Sequence, residues 1–270
     1  QKGSPGLVPR FFERPYLKFG QQLVQLPWVA ALQNNGTAAI NNLRRLAARR
    51  DEAAEETRRI ESKLAELLRG RGFRVLLNWL PPAEQRDAGE VDVIAARDGQ
   101  LFILEIKSTF IRRSMQEAWL HASTTLRKAG RQLQRKAEAI GWALGADETF
   151  RTALGLARAE LPPHVHGWIV DTSIESDHER FSGFLKVSLE EVIVALRDDR
   201  CLLGDPWGLA SGQAPAAVTP ADDPMRSTLY PSGFDAPRFV AVIENEWVWT
   251  IIGGDSQASR HGKPYMAPLS

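Results

Sequence analysis

The sequence predicts an α/β fold in which a mixed central sheet is flanked by helices on both faces. Two apolar runs flank Asp98-Gly99 and predict a β-hairpin, because a type I′ turn needs positive φ at both central residues. Neither strand of this hairpin has a polar face, and such strands are covered on both sides. Helical periodicity before and after the hairpin supplies the two covering layers.

The elements of this core follow one another as helix, three strands, helix, two strands and helix. Residues 51–70 are predicted to form the first helix, because Ile60, Leu64 and Leu68 share one face. Ser188 and Glu191 form a capping box that begins the last helix. The remaining elements are predicted as strands over 73–77, 167–171 and 184–187 and one or two helices over 114–144.

Composition divides the chain into three parts. Residues 1–48 are predicted to be an N-terminal extension that could link to a missing domain, since the chain begins at Gln1 rather than Met. Residues 49–203 form the core. Residues 204–270 are predicted to be a Pro-rich arm and a small C-terminal β-hairpin, with its strands over 239–243 and 247–252.

The cysteine content and the lengths of the apolar runs indicate in which cellular compartment the protein is expected. The single cysteine, Cys201, excludes an internal disulfide framework and fits a reducing compartment, so we expect a cytoplasmic protein. No apolar run approaches the ~20 residues that a membrane span needs, so no membrane partner is expected.

Asp92 and Glu105 are the first candidate functional residues. In the register set by Asp98-Gly99 they lie opposite each other, with Cβ atoms about 4.5–5.5 Å apart. Two carboxylates that close repel, whereas a divalent cation between them turns the repulsion into a binding site. Lys107 points to the same face as Glu105 because strand side chains alternate. The hairpin therefore places two carboxylates and one ammonium together.

Clustered basic residues indicate a polyanionic partner. Between residues 111 and 136 seven basic residues accompany a single acid, Glu117. A solvated helix face is the plainer explanation for any one such cluster. The candidates for contact with nucleic acid are Arg112, Arg113, Arg127, Lys128, Arg131 and Arg135.

Glu61, Asp92, Glu105-Ile106-Lys107 and Gln132 together resemble the PD-(D/E)XK nuclease superfamily, which has the restriction-endonuclease-like fold. In that family a helix with a glutamate precedes a hairpin that carries an aspartate and a (Asp/Glu)-x-Lys triplet, and a later helix often carries a glutamine. The hairpin is also similar to that of nuclease-related (NERD-type) domains. The resemblance covers about residues 50–197.

The resemblance implies a metal site for Mg²⁺, with Mn²⁺ as a substitute. Asp92 and Glu105 would be direct ligands, with the carbonyl of Ile106 as a third. Glu61 would bind through water or hold a second ion. Mg²⁺ prefers oxygen ligands and commonly takes one or two carboxylates, which agrees with this set.

The resemblance also implies roles for the other residues. Lys107 would orient the attacking water or stabilise the phosphate, and Gln132 would position a water or the backbone. One departure is that Gly89 and Glu90 stand where the family often has a proline. The implied activity is phosphodiester hydrolysis, in DNA rather than RNA, by an endonuclease rather than an exonuclease.

Two other interpretations remain open from the sequence. A catalytically silent nuclease fold would serve as a nucleic-acid-binding or assembly module. Alternatively, a structural domain would use Glu105 and Lys107 as an ordinary ion pair within a strand, although this leaves the proximity of Asp92 and Glu105 unexplained. A homodimer, or membership of a larger polypeptide or complex, is compatible with each.

Overall fold

A computed structural model describes residues 16–19, 22–25, 50–109, 112, 115–156, 163–198 and 228–252. The chain divides into two compact units, residues 1–55 and 56–270. In the first unit, β1 (Tyr16–Phe19) and β2 (Gln22–Gln25) form an antiparallel pair. Most of the predicted N-terminal extension, and the Pro-rich stretch from 204 to 227, lie outside the described residues.

The second unit contains a six-stranded mixed sheet, in agreement with the predicted fold class. Its strands lie in the order β3-β4-β5-β6-β8-β7. The pairs β5–β6 and β6–β8 are parallel, and the other neighbours are antiparallel. The strands are β3 (Arg74–Trp79), β4 (Val91–Arg97), β5 (Gln100–Lys107), β6 (His164–Asp171), β7 (Arg180–Phe181) and β8 (Phe184–Ser188).

Helices cover both faces of this sheet. In chain order they are α1 (Arg50–Gly70), α2 (Met115–His121), α3 (Arg127–Ala146), α4 (Glu148–Ala153), α5 (Leu189–Arg197), α6 (Ala236–Glu244) and α7 (Trp247–Ile252). A 3₁₀ turn (Ala83–Ala88) precedes β4, and a π-helical turn (Ala122–Leu126) joins α2 to α3. Among the described residues, no helix has both the length and the apolar character needed to cross a bilayer.

The β4–β5 hairpin has the predicted register. Asp98 and Gly99 have φ angles of 49° and 69°, as a type I′ turn requires. The turn is local, so its sequence fixes which residues face each other along both strands. The paired residues include Arg97 with Gln100, Ala95 with Phe102, and Val93 with Leu104.

Two apolar cores lie on opposite faces of the sheet. One core joins the sheet to α1, α5, α6 and α7 and contains Leu64, Phe102, Trp168, Val192 and Phe239. The other joins it to α3 and α4 and contains Ile94, Ile103, Leu133, Ile140 and Phe150. Helix α3 approaches β7 closely at Gly130, where a Cβ atom would collide with the carbonyl oxygen of Phe181. The second core positions α3 over β4 and β5.

The prediction of a C-terminal β-hairpin is wrong, because residues 236–252 form α6 and α7. The Asp235 carboxylate accepts a hydrogen bond from the Arg238 amide at 2.6 Å and so begins α6. Short apolar runs do not distinguish strand from helix, and here Phe239, Val242 and Ile243 are buried at helical spacing. These side chains belong to the first core, so this part of the predicted arm packs on the sheet.

Candidate active site

The predicted site residues line one cavity of about 400 Å³. The cavity lies where β4 begins and β5 ends, beneath α3 and beside the middle of α1. Its lining includes Glu61, Asp92, Glu105, Ile106, Lys107, Gln132 and Lys136. Every residue predicted as catalytic or as a metal ligand therefore borders the same space, although they come from four elements.

Asp92 and Glu105 converge on the face of the sheet that α3 covers. Asp92 accepts a hydrogen bond through Oδ2 from the Ile106 amide at 2.7 Å. Its other oxygen, Oδ1, and Oε2 of Glu105 both accept from the ammonium of Lys136. The two acids therefore lie close together on adjacent strands, as the hairpin register predicts.

Lys136 is the functional candidate that the sequence analysis missed. Its side chain descends from α3 between the two carboxylates and is 3% exposed. Burial alone would lower the pKa of Lys136, but the charges of Glu105 and Asp92 outweigh it and raise the pKa above its ordinary value. A signal was present, because Lys136 falls on the buried stripe of α3 between Leu133 and Ile140 and one turn after Gln132.

The proximity of two acids therefore has an explanation besides a metal ion. Glu105 is 2% exposed and Asp92 is largely buried, so their mutual repulsion is poorly screened. Burial and the charge of Glu105 both raise the pKa of Asp92, while Lys136 and the Ile106 amide oppose that rise. The ammonium of Lys136 bonds both carboxylates, and together with the ammonium of Lys107 on Glu105 it balances their two negative charges.

Lys107 lies at the end of β5 and bonds the other oxygen of Glu105. Its ammonium donates to Oε1 of Glu105 at 2.5 Å, and its side chain is 23% exposed. The strand ion pair foreseen by the structural interpretation thus exists. It is also part of the cavity wall, so Lys107 can reach a ligand there.

The two oxygens that Lys136 bonds also satisfy the first requirement of a metal site, which is that the donor atoms are directed at one point. Oδ1 of Asp92 and Oε2 of Glu105 both bond one nitrogen atom, so a single point lies within reach of both. Two carboxylate oxygens are suitable donors for Mg²⁺ or Mn²⁺. The donor chemistry therefore fits a divalent cation, with Lys136 as its competitor for that point.

Glu61 approaches the site from α1 and is 7% exposed. Burial, followed by the charges of Asp92 and Glu90, raises the pKa of Glu61 from 4.5 to about 7. Glu61, Asp92 and Glu105 do not offer one oxygen each such that all three oxygens lie within 4.8 Å of one another. The prediction that Glu61 acts through water or a second ion, rather than as a third direct ligand, is compatible with this arrangement.

Replacing Glu61 with glutamine should change stability in a pH-dependent way. The unfolded carboxyl ionises near pH 4.5 and the folded one near pH 7, so wild-type stability falls as pH rises through this window. Glutamine does not ionise, so Glu61→Gln should be the more stable protein above pH 7, by up to about 3 kcal/mol. Below pH 4.5 the two proteins should differ little. Urea unfolding in EDTA between pH 4 and pH 8 measures this.

Glu66 offers the control on the same helix. Its carboxylate is exposed and bonds Lys63 at 2.8 Å, which lowers its pKa. Glu66→Gln should therefore show no gain in stability as pH rises. A pH-independent difference between Glu61→Gln and the wild type would contradict the assigned environment of Glu61.

The predicted basic residues separate into two groups. Arg127, Lys128, Arg131 and Arg135 are exposed on α3, where the last three border a surface depression of about 500 Å³ with Gln134 and Glu138. Arg112 is different, because its side chain is 5% exposed and donates to Thr109 Oγ1 at 2.9 Å. The prediction that Arg112 contacts nucleic acid is therefore not supported by its position. Arg113 lies outside the described residues.

A buried polar cluster at the carboxyl end of β6 supports the end of β5. Asp171 pairs in register with Lys107 and bonds Thr109 Oγ1 at 2.5 Å, His121 Nε2 at 2.8 Å and Ser173 Oγ at 3.0 Å. Burial raises the pKa of Asp171, but the hydrogen bonds from His121 and Thr109 outweigh it and hold the pKa below its ordinary value. The cluster ties α2 and the segment after Lys107 to β6.

A second set of possible ligands lies away from the cavity. Within the described part of the chain, Asp177, His178 and Glu191 are the group whose ligand atoms all lie within 4.8 Å of one another. His178 bonds Glu191 at 2.8 Å, and Lys186 donates to Asp177 at 3.2 Å. Burial lowers the pKa of His178, but Glu191 outweighs it and raises the pKa. His178 and Lys186 each bond one acid of this cluster, and we assign it a structural role.

Comparison of the chain with protein-family models, with curated proteins and with solved structures found no match. The resemblance to the PD-(D/E)XK superfamily therefore stays a prediction that rests on the residues and their arrangement.

Proposed function

We propose that this protein is a divalent-metal-dependent nuclease that hydrolyses phosphodiester bonds, in DNA rather than RNA. The observation that carries the proposal is the convergence of Asp92 and Glu105 on one point, with Lys107 beside them, in a cavity open to solvent. Mg²⁺ is the proposed cofactor, with Mn²⁺ as a substitute.

The chain's own residues provide positioning and charge. Asp92 and Glu105 would hold the cation, which supplies activation of water and stabilisation of negative charge. The Ile106 amide fixes the orientation of Asp92, because it bonds Oδ2 and leaves Oδ1 directed into the cavity. Lys107 would neutralise charge that develops on the phosphate, since preorganised donors are effective in a partly buried site. Gln132, on the cavity wall, would orient a water or the sugar–phosphate backbone.

The exposed basic face of α3 supports a polyanionic substrate. Lys128, Gln132 and Lys136 are four residues apart along α3, so this helix carries both the surface charges and part of the cavity wall. A strand bound along Lys128, Arg131 and Arg135 would pass beside the opening. Contacts of this kind hold the backbone without reading its sequence.

The remaining features of the proposal follow the sequence. We propose an endonuclease rather than an exonuclease, acting in the cytoplasm because the chain has a single cysteine. A homodimer or a larger complex is compatible with the residues that the structure describes.

A second candidate function is a catalytically silent nucleic-acid-binding or assembly module. The observation that favours it is Lys136, whose ammonium already bonds both carboxylates at the point where a cation would lie. In this case the site would have exchanged its metal for a lysine, while the basic face of α3 would remain in use.

Incubation of the purified chain with supercoiled, linear and single-stranded DNA, and with RNA, tests both functions. Samples with Mg²⁺, Mn²⁺ or EDTA should show cleavage of DNA in the two metals and none in EDTA. Supercoiled circles should be nicked or linearised if the enzyme is an endonuclease. Binding without cleavage in either metal would contradict the nuclease and favour the silent module.

A further inference from the structure

The position of Lys136 leads to an inference about how the site is regulated, which rests on the proposed nuclease function. Each of the two carboxylates has one oxygen in use elsewhere. Oδ2 of Asp92 accepts from the Ile106 amide, and Oε1 of Glu105 accepts from Lys107. The remaining oxygens, Oδ1 and Oε2, both face the ammonium of Lys136. A cation that bridged the two acids would need these same two oxygens.

We propose that Lys136 is a displaceable internal counter-ion, which competes with the divalent cation for Oδ1 of Asp92 and Oε2 of Glu105. Mg²⁺ binds carboxylate oxygens at about 2.0–2.1 Å, so it would occupy the point where the ammonium lies. The ammonium and the cation cannot be there together. Metal binding therefore requires Lys136 to withdraw.

The surroundings of Lys136 permit that movement. Its side chain is long and unbranched, and the cavity that it enters has a volume of about 400 Å³. The wall beside it carries the polar side chains of Gln132, Ser108 and Thr57. A withdrawn ammonium would therefore remain near polar groups and close to the opening.

The competition raises the concentration of free metal that is needed to fill the site. Without a metal, Lys136 relieves the repulsion between two acids that are shielded from water. A cation must displace the ammonium before it can bind the two carboxylates. The affinity of the site for the cation is therefore lower than it would be without Lys136. The site would then load only when free metal is abundant enough to displace the lysine.

Calorimetric titration of the full chain with Mn²⁺, without nucleic acid, tests the competition. Lys136→Met keeps the apolar stem of the side chain and removes its charge, so we expect this variant to bind Mn²⁺ about tenfold or more tightly than the wild type. Lys107→Met is the matched control, because Lys107 bonds the other oxygen of Glu105 and should give a clearly smaller gain. An unchanged or weaker Mn²⁺ affinity in Lys136→Met, or an equal gain in both variants, would overturn the inference.

A second measurement uses the wild-type chain, in case Lys136→Met does not fold. Acetylation of amines, followed by mass spectrometry, reports the accessibility of each lysine. Mn²⁺ should increase labelling of Lys136 and leave that of Lys128, which is exposed on the same helix, unchanged. Labelling of Lys136 that does not respond to Mn²⁺ would overturn the inference.

The outcomes also separate this inference from the nuclease proposal. Tighter Mn²⁺ binding by Lys136→Met, without DNA cleavage by the wild type, would support the competition and contradict the nuclease. Metal-dependent cleavage by the wild type, with an unchanged Mn²⁺ affinity in Lys136→Met, would support the nuclease and contradict the competition.

Discussion

Lys107→Met should lower the maximal rate of Mg²⁺-dependent DNA cleavage about 10²- to 10³-fold, as the loss of one preorganised charge-stabilising donor does in other hydrolytic sites. The Lys107 ammonium lies at the end of β5, bonds Glu105 at 2.5 Å and borders the cavity. Methionine preserves the apolar stem of the side chain but cannot neutralise charge on a phosphate. The effect should fall on kcat, because that charge develops in the transition state.

Single-turnover cleavage with excess protein separates this effect from weakened binding. Circular dichroism and thermal unfolding should show that the fold persists. Lys63→Met is the control, since Lys63 is exposed on α1 and bonds Glu66 outside the cavity. Asp92→Asn should cause a similar loss. Asparagine can still accept the hydrogen bond from the Ile106 amide, so the local geometry should persist, but it lacks the negative charge that would hold a cation. Full activity in Lys107→Met would remove Lys107 from the mechanism.

The hairpin was predictable because its determinants are local. Asp98-Gly99 fixes the turn, the turn fixes the register, and the register places Asp92 beside Glu105. The covering of both sheet faces was also predictable, because strands without a polar face require it. The convergence of Asp92 and Glu105 thus needed little information beyond residues 91–107.

The C-terminal segment shows where local information fails. Phe239 to Ile243 is too short and too apolar for periodicity to distinguish a strand from a helix. The secondary structure of this segment depends on the Asp235 cap at one end and on the space that the sheet leaves beside α1 and α5. The second of these is a tertiary property, and no pattern within the segment contains it.

Lys136 shows a different limit. Its place on the buried stripe of α3 was visible, but charged residues at such positions often extend to solvent. Whether Lys136 reaches two acids depends on how α3 lies over β4 and β5. That position follows from packing across the second core, between residues distant in sequence. The repulsion between Asp92 and Glu105 implied some compensating cation without specifying that the chain itself supplies one.

The distribution of charge on α3 gives the protein two separable properties. Lys136 points inward and acts on the carboxylates, whereas Lys128, Arg131 and Arg135 point outward and bond neither of them. The outward group can therefore be altered without disturbing the cavity. Its loss should weaken nucleic-acid binding under either candidate function and, if the protein is a nuclease, leave metal binding intact.

Replacement of Lys128, Arg131 and Arg135 together by glutamine should strongly weaken DNA binding and reduce its dependence on salt. Each phosphate contact contributes about one to the slope of log affinity against log salt, so the slope should decrease in magnitude by about three. At about 0.1 M salt this corresponds to a loss of affinity of about 10²- to 10³-fold. Fluorescence anisotropy with a labelled duplex, in EDTA and at several salt concentrations, measures both quantities.

A matched variant tests whether the position of the charges matters. Lys63, Arg69 and Arg197 lie on α1 and α5, which cover the opposite face of the sheet, and their replacement by glutamine removes the same total charge. If α3 is the binding face, this control should retain most of the affinity and most of the salt slope. Equal losses of affinity in the two triple variants would mean that DNA binding depends only on the net charge of the protein. The proposed path of the strand along α3 would then be wrong.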